Sequence, residues 1–211
     1  YFRGITEEVV DYLKEQYGDR FEYVAERDIF DYVYDGEILR TLKGRKNSKK
    51  RNHINYFLSE YEGRFEYRLL GKADFDDCRQ LLDDWTVNKE ENNNIEEGVD
   101  DERLGIEKLF AHYDQVCDRL KIAGIYIDGK LEAFTMGELL NNNMALIHIE
   151  KANPEIRGLY PYINQQFLVH EFPDVEFVNR EEDMGIEGLR KAKLSYHPCK
   201  FVEKYTVREA N

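Results

Sequence analysis

Apolar positions along this chain change period again and again, and each change marks a boundary between elements. Ile5, Val9, Leu13 and Tyr17 recur every fourth position, which predicts a helix over 5–17 closed by Gly18. Two β-rich runs follow, 21–25 and 29–34, and Asp35-Gly36 reads as a turn. Ile54, Phe57, Leu58 and Tyr61 form a stripe at helical spacing and predict a helix over 48–61. Beyond Gly63 the pattern predicts a strand over 65–70 and a helix over 74–88, with Phe75, Cys78, Leu81, Leu82 and Trp85 on one side. A polar loop is expected over 88–101, then a helix over 102–120 carrying Ile106, Leu109, Phe110 and Tyr113.

The next stretch is β-rich. Runs at 122–127, 131–140 and 144–149 are separated by Asp128-Gly129, a strong hairpin signal, and by Asn141–Asn143. A helix over 161–171 starts at Pro161, where a missing N–H costs nothing. A strand at 175–178, a helix at 186–194 and a last strand at 201–207 complete the order. Residues 64–208 therefore read β-α-α-β-β-β-α-β-α-β, the order of an α/β protein with one mixed sheet and helices on both faces.

Composition narrows the picture. With 211 residues and 42% hydrophobic content the chain can build one large domain or one and a half smaller ones. No apolar run approaches the length of a membrane span, and Glu7, Glu8, Asp11 and Lys14 in the first helix do not suit a signal peptide. Three widely spaced cysteines, Cys78, Cys117 and Cys199, fit neither a disulfide framework nor a zinc knuckle. They read as buried thiols in a reducing, cytoplasmic setting. A net charge of −13 opposes broad nucleic-acid binding. Against that background Lys43, Arg45, Lys46, Lys49, Lys50 and Arg51 put six positive charges into nine residues. This cluster is either a solvated helix face or a site for phosphates, of tRNA or of an anionic lipid headgroup.

Three segments carry a resemblance to a known family. They are the basic run Gly44-Arg45-Lys46-Asn47-Ser48-Lys49-Lys50-Arg51-Asn52-His53, the run Tyr160-Pro161-Tyr162-Ile163-Asn164-Gln165-Gln166-Phe167, and a long segment from Val178 to Pro198. The last includes Asn179-Arg180-Glu181-Glu182-Asp183-Met184-Gly185 and Leu189-Arg190-Lys191-Ala192-Lys193-Leu194-Ser195-Tyr196-His197-Pro198. Together they resemble an uncharacterised bacterial family grouped with the C-terminal domain of phosphatidylglycerol lysyltransferases. The resemblance implies a GNAT-like acyltransferase fold in tandem units. Residues 1–41 would be the end of a first unit plus a linker, residues 42–211 a complete second unit, and a missing N-terminal half would be the partner.

The resemblance also implies acyl or aminoacyl transfer to an amine or hydroxyl acceptor, a small molecule or a lipid headgroup. Acetyl-CoA and aminoacyl-tRNA both stand as donors. Such chemistry needs a base, donors for the developing oxyanion and an acid for the leaving group. In a GNAT fold the sheet splays beside the strand ending near residue 149, which places Glu150 or His148 as base. Tyr160 and Tyr196 are candidate acids. His148, Asn164, Asn179, Arg180, Glu181, Glu182 and Asp183 would bind substrate, and the three carboxylates could hold an ammonium or a divalent metal.

Arg157-Gly158, ahead of the 161–171 helix, lies where a GNAT binds a diphosphate. The expected second small residue is replaced by Tyr160-Pro161, which puts coenzyme A in doubt. Anion-binding candidates are thus Lys46, Lys49, Lys50, Arg51, Arg157 and Gly158. A CoA-dependent N-acetyltransferase and a non-catalytic ligand-binding module are the competing readings.

Overall fold

The computed structural model describes residues 1–91 and 99–210. In chain order the elements are β1 (Phe2–Thr6), α1 (Glu7–Tyr17), β2 (Phe21–Ala25), β3 (Asp31–Asp35), α2 (Gly36–Thr41), α3 (Ser48–Glu60) and β4 (Phe65–Leu69). Then come α4 (Phe75–Glu91), α5 (Val99–Ala111), α6 (Tyr113–Val116), β5 (Lys121–Ile127), β6 (Lys130–Asn141), β7 (Met144–Ala152) and α7 (Leu159–Glu171). The chain ends with β8 (Phe177–Asn179), α8 (Glu187–Leu194), β9 (Lys200–Val202) and β10 (Lys204–Glu209). Contacts divide it into two compact units, one made of Tyr1–Asp35 with Phe177–Asn211, the other of Gly36–Glu176.

In the Gly36–Glu176 unit the strands form an antiparallel meander, β4-β5-β6-β7. Asp128 and Gly129 turn β5 into β6 with φ of 51° and 84°, the positive pair a tight hairpin requires. One face of the meander carries α4 and α5. Leu81, Leu82, Ile106, Phe110, Phe134 and Met136 share that core, and Phe75 stacks on Phe110 at 3.9 Å between ring centres. The other face carries α7 and α3, where Phe57 lies between Phe65 and Tyr162, 5.0 and 4.9 Å from their ring centres.

The other unit holds two three-stranded antiparallel arrangements, β1-β10-β2 and β8-β3-β9. β3 is buried from Asp31 to Tyr34, as a central strand should be. Val33 pairs with Asn179 on one side and Lys200 on the other.

Several boundaries differ from the sequence reading. The expected 5–17 helix begins at Glu7, because Ile5 and Thr6 pair with β10 as the end of β1. Asp35-Gly36 is no turn: Gly36 opens α2, and a Cβ there would meet the Val175 carbonyl at 2.4 Å. The expected last strand is two. β9 pairs with β3, Glu203 lies between, and β10 pairs with β1 and β2. Helices claim both ends of the expected 88–101 loop, and the rest of it lies outside the described residues. Of the cysteines only Cys78 is buried; Cys199 is exposed.

Candidate functional site

β7 does not keep one alternation. Met136 of β6 pairs with Ile149, but Gly137 pairs with Ile147, so His148 is one extra residue on β7. A bulge of this kind bends the strand and reverses the side-chain phase beyond it. Ile147 accordingly lies beside Phe167 of α7, as the surroundings of Gly137 show, whereas Ile149 packs into the α4–α5 core. Past the bulge Glu150 turns to α7 and Lys151 to α4 and α5. His148 itself bonds to Glu138 across the strand pair, Nε2 to Oε1 at 3.2 Å.

Glu150 meets α7 through Asn164, whose Nδ2 donates to Glu150 Oε2 at 2.8 Å. Asn164 is 2% exposed, and its Oδ1 is a buried acceptor with no donor among the described residues. The carboxylate fixes which way the amide faces, because it can accept only from the NH₂ group. An unmet acceptor therefore sits next to the Glu150 carboxylate.

Tyr160 enters from the first turn of α7. Its hydroxyl oxygen accepts a hydrogen bond from Trp85 Nε1 of α4 at 3.0 Å. Burial pushes this hydroxyl up to about 12, opposed by the Trp85 donor and the Ala152 N–H and reinforced by the Glu150 and Glu102 charges. The group is a protonated phenol at neutral pH. Lys151, buried on β7, lies 3.6 Å from the centre of the Trp85 ring and pairs with Glu102 of α5 at 2.6 Å. An ammonium against an indole face in a buried setting is a favourable contact. Beside these groups a cavity of about 190 Å³ is lined by Leu81, Asp84, Trp85, Lys130, Glu132, Asn153, Pro154 and Glu155.

Gly158 caps α7 with φ 91°, and a Cβ there would meet the His53 carbonyl of α3 at 2.1 Å. The glycine serves close packing of two helices. In the first turn of α7, Leu159 N–H bonds to Ile156 and Tyr162 N–H to Gly158, and Pro161 has none. Few N–H groups remain for a diphosphate. Arg157 lies over the Tyr56 ring, 4.8 Å from its centre.

The basic cluster divides by task. Arg51 donates to the Leu42 carbonyl and, at 2.7 Å, to the Gly44 carbonyl, which holds a loop with positive φ at both residues. Lys43 pairs with Glu37 at 2.5 Å. Lys46 and Lys49 are exposed and carry no ion pair among the described residues, whereas Lys50 is half-buried.

Tyr196 and the 179–183 segment belong to the other unit. Asp183 is fully buried and takes five hydrogen bonds. Arg190 gives two at 2.8 Å, Gly185 N–H one at 2.9 Å, Arg27 one at 3.3 Å, and the Tyr32 hydroxyl one more. Burial alone would raise this carboxyl, but the Arg190, Tyr32 and Gly185 donors overcome it and hold the group well below the usual carboxylate range. A carboxylate offers about four lone-pair sites. Asp183, expected to orient substrate, is already saturated, and it fixes the loop instead.

Asn179 does similar work. It donates to Asp31 at 3.0 Å and accepts from Glu181 N–H at 2.8 Å. Asp31 in turn holds Lys204 at 2.5 Å, which reaches Glu182 at 3.4 Å. The Glu181 backbone, at φ 55°, gives its carbonyl to Tyr32 N–H and to Lys193. The Arg180 guanidinium lies against the rings of Tyr196 and Tyr34, 4.7 and 5.6 Å from their centres. Among the described residues no three carboxylate, histidine or cysteine side chains gather as a metal site. Nor is any helix among the described residues long and apolar enough to cross a membrane.

Sequence reasoning named Glu150, Tyr160 and Asn164 and missed Trp85, Lys151 and Glu102. Trp85 fitted the apolar stripe of its helix, and Lys151 follows Glu150 with nothing in the sequence to mark it. Only the packing of three elements brings them together.

Comparison with known proteins agrees with this architecture. The model of the family described as phosphatidylglycerol lysyltransferase, C-terminal, matches residues 1–208. A crystallised conserved protein of unknown function from Bacteroides thetaiotaomicron is 34% identical, with a TM-score of 0.89 over 99% of this chain and 69% of that one. L-PGS from Bacillus licheniformis is 15% identical with a TM-score of 0.65, covering 100% of this chain and 67% of that one. An uncharacterised protein of Mycoplasmoides gallisepticum is 25% identical over 99% of this chain, which spans 64% of that relative's length. This chain belongs to the phosphatidylglycerol lysyltransferase C-terminal family and has the mixed α/β fold it shares with L-PGS.

Proposed function

We propose that this chain transfers an aminoacyl group from an aminoacyl-tRNA to a hydroxyl of a lipid headgroup, the reaction its family's description names in lysyl form. The observation that carries the reading is the buried, unpartnered Asn164 Oδ1 beside the Glu150 carboxylate. Two adjacent acceptors suit the hydroxyl or ammonium protons of an incoming nucleophile. Leaving such an acceptor unmet is costly, so a ligand donor is favoured there.

Glu150 takes the proton of the attacking hydroxyl as the new acyl–oxygen bond forms. The old acyl–oxygen bond to the ribose breaks, and the leaving oxygen takes the proton of Tyr160. Water then returns the proton on Glu150 to the phenolate, which restores both groups. The crowded first turn of α7, with Pro161 lacking an N–H and Gly158 packed on His53, supports a donor other than coenzyme A. Exposed Lys46 and Lys49 would meet phosphates of the tRNA or of the headgroup.

The test is transfer from radiolabelled lysyl-tRNA to phosphatidylglycerol vesicles, run beside acetyl-CoA with simple amines. Wild type should use the first pair, and Glu150→Gln should cut turnover about 10²-fold or more if general-base catalysis is its task. Activity with acetyl-CoA alone would replace this reading with an N-acetyltransferase. Binding of both substrates without transfer would make the chain a ligand-binding module.

A further inference from the structure

A phenol oxygen has two acceptor positions and one proton. In Tyr160 the oxygen accepts from Trp85 Nε1 at 3.0 Å, so one acceptor position is taken by the indole. The indole cannot accept in return, because its nitrogen only donates. The Tyr160 proton is thereby directed away from Trp85.

The indole that imposes this direction is itself fixed. Trp85 is 8% exposed, with the Lys151 ammonium 3.6 Å from its ring centre. Lys151 in turn is held by Glu102 at 2.6 Å, with side-chain exposures of 8% and 32%. Four side chains on α4, α5, β7 and α7 thus form one chain ending at the Tyr160 oxygen. A tryptophan serving only to fill the α4 core would need no partner for its N–H beyond water or a carbonyl. Here the partner is the hydroxyl of the candidate acid.

We propose that Trp85 is a positioning residue for the transfer step: its N–H aims the Tyr160 proton at the leaving oxygen, and the Lys151–Glu102 pair holds the indole in place. The inference rests on Tyr160 being the acid, as read above. Trp85→Phe keeps an aromatic ring for Lys151 and removes the donor together with the five-membered ring that carries it. In the lysyl-tRNA assay it should lower kcat about tenfold with KM unchanged, part of the roughly 10²–10⁴ that a general acid supplies. In a Tyr160→Phe background the same substitution should add nothing, because the group it aims is gone.

Trp85 is the single tryptophan of the chain, so intrinsic fluorescence reports on this contact without any substrate. Tyr160→Phe and Lys151→Met should each change its emission while leaving the far-UV circular dichroism intact. Unchanged emission in both variants overturns the contact chain. A full Tyr160→Phe defect with Trp85→Phe fully active overturns the positioning role. If Tyr160→Phe keeps full turnover while emission shifts, the contact stands, and the acid reading falls together with the positioning role built on it.

Discussion

Arg190 and Asp183 meet as two parallel forks, Nε on Oδ2 and Nη2 on Oδ1, each at 2.8 Å. The carboxylate is wholly buried and the guanidinium is not, so the pair anchors the 180–185 loop to α8 from inside. Removing one partner of a buried, hydrogen-bonded charge is among the costliest single changes a fold can suffer. Asp183→Asn should therefore lower unfolding free energy by about 3–5 kcal/mol in urea titrations. A loss below the error of the titration would mean that the network contributes nothing net.

The same carboxyl predicts a pH dependence. It is held below its ordinary value, so the unfolded chain binds its proton first as acid is added. The stabilisation is complete above the unfolded value of about 4 and declines as pH falls toward the lower folded value. The stability difference between wild type and Asp183→Asn should be constant near neutrality and shrink below about pH 4. A difference that grows on acidification would contradict the geometry.

Gly158 makes a second stability prediction. A side chain there faces both φ 91° and the His53 carbonyl at 2.1 Å. Gly158→Ala should cost about 1–3 kcal/mol from backbone strain alone, with the clash in addition. Because α7 carries Tyr160 and Asn164, turnover should fall as well. A urea midpoint equal to that of wild type would refute the close approach.

The basic cluster should separate into two behaviours. Lys46→Ala with Lys49→Ala should weaken binding of tRNA or of anionic vesicles and flatten its salt dependence, with the melting temperature unchanged. Arg51→Ala should lower the melting temperature, since the Leu42 and Gly44 carbonyls lose their donor. Wild-type indifference to both ligands at low salt would reduce Lys46 and Lys49 to a solvated face.

Much of the fold was legible because local patterns dominate it. The β5–β6–β7 meander announced itself through alternation and Asp128-Gly129, and α3, α4 and α7 through apolar stripes. What escaped was set by distant partners. α2 is too short for a period to show, and its Gly36 is demanded by the Val175 carbonyl. The break at Glu203 exists because β9 and β10 pair with different strands, which no run of residues from 200 to 207 encodes by itself. Glu150 and Asn164 could each be named from the sequence, but their hydrogen bond could not. It depends on which face Glu150 takes, and the pairing of β7 with β6 decides that. For Asp183, abundance of charge suggested a ligand site, whereas burial turned the charge inward.

The extra residue at 148 makes one strand answer to counting. With a regular ladder, positions 147 and 149 would share a face and Glu150 would look toward α4 and α5. The bulge takes up the extra residue, so Ile149, Glu150 and Lys151 stay opposite Met136, Thr135 and Phe134. The chemical character of residue 148 then matters little to the strand: His148→Ala forfeits the Glu138 contact yet leaves the pairing alone. Deleting His148 would close the bulge with Ile147 opposite Gly137 and Ile149 opposite Met136 as before, whereas losing residue 149 or 150 would send Lys151 to the α7 face. Lineages of this fold should therefore vary freely at residue 148, lose it without moving Glu150, and tolerate almost no change in length between residues 149 and 152.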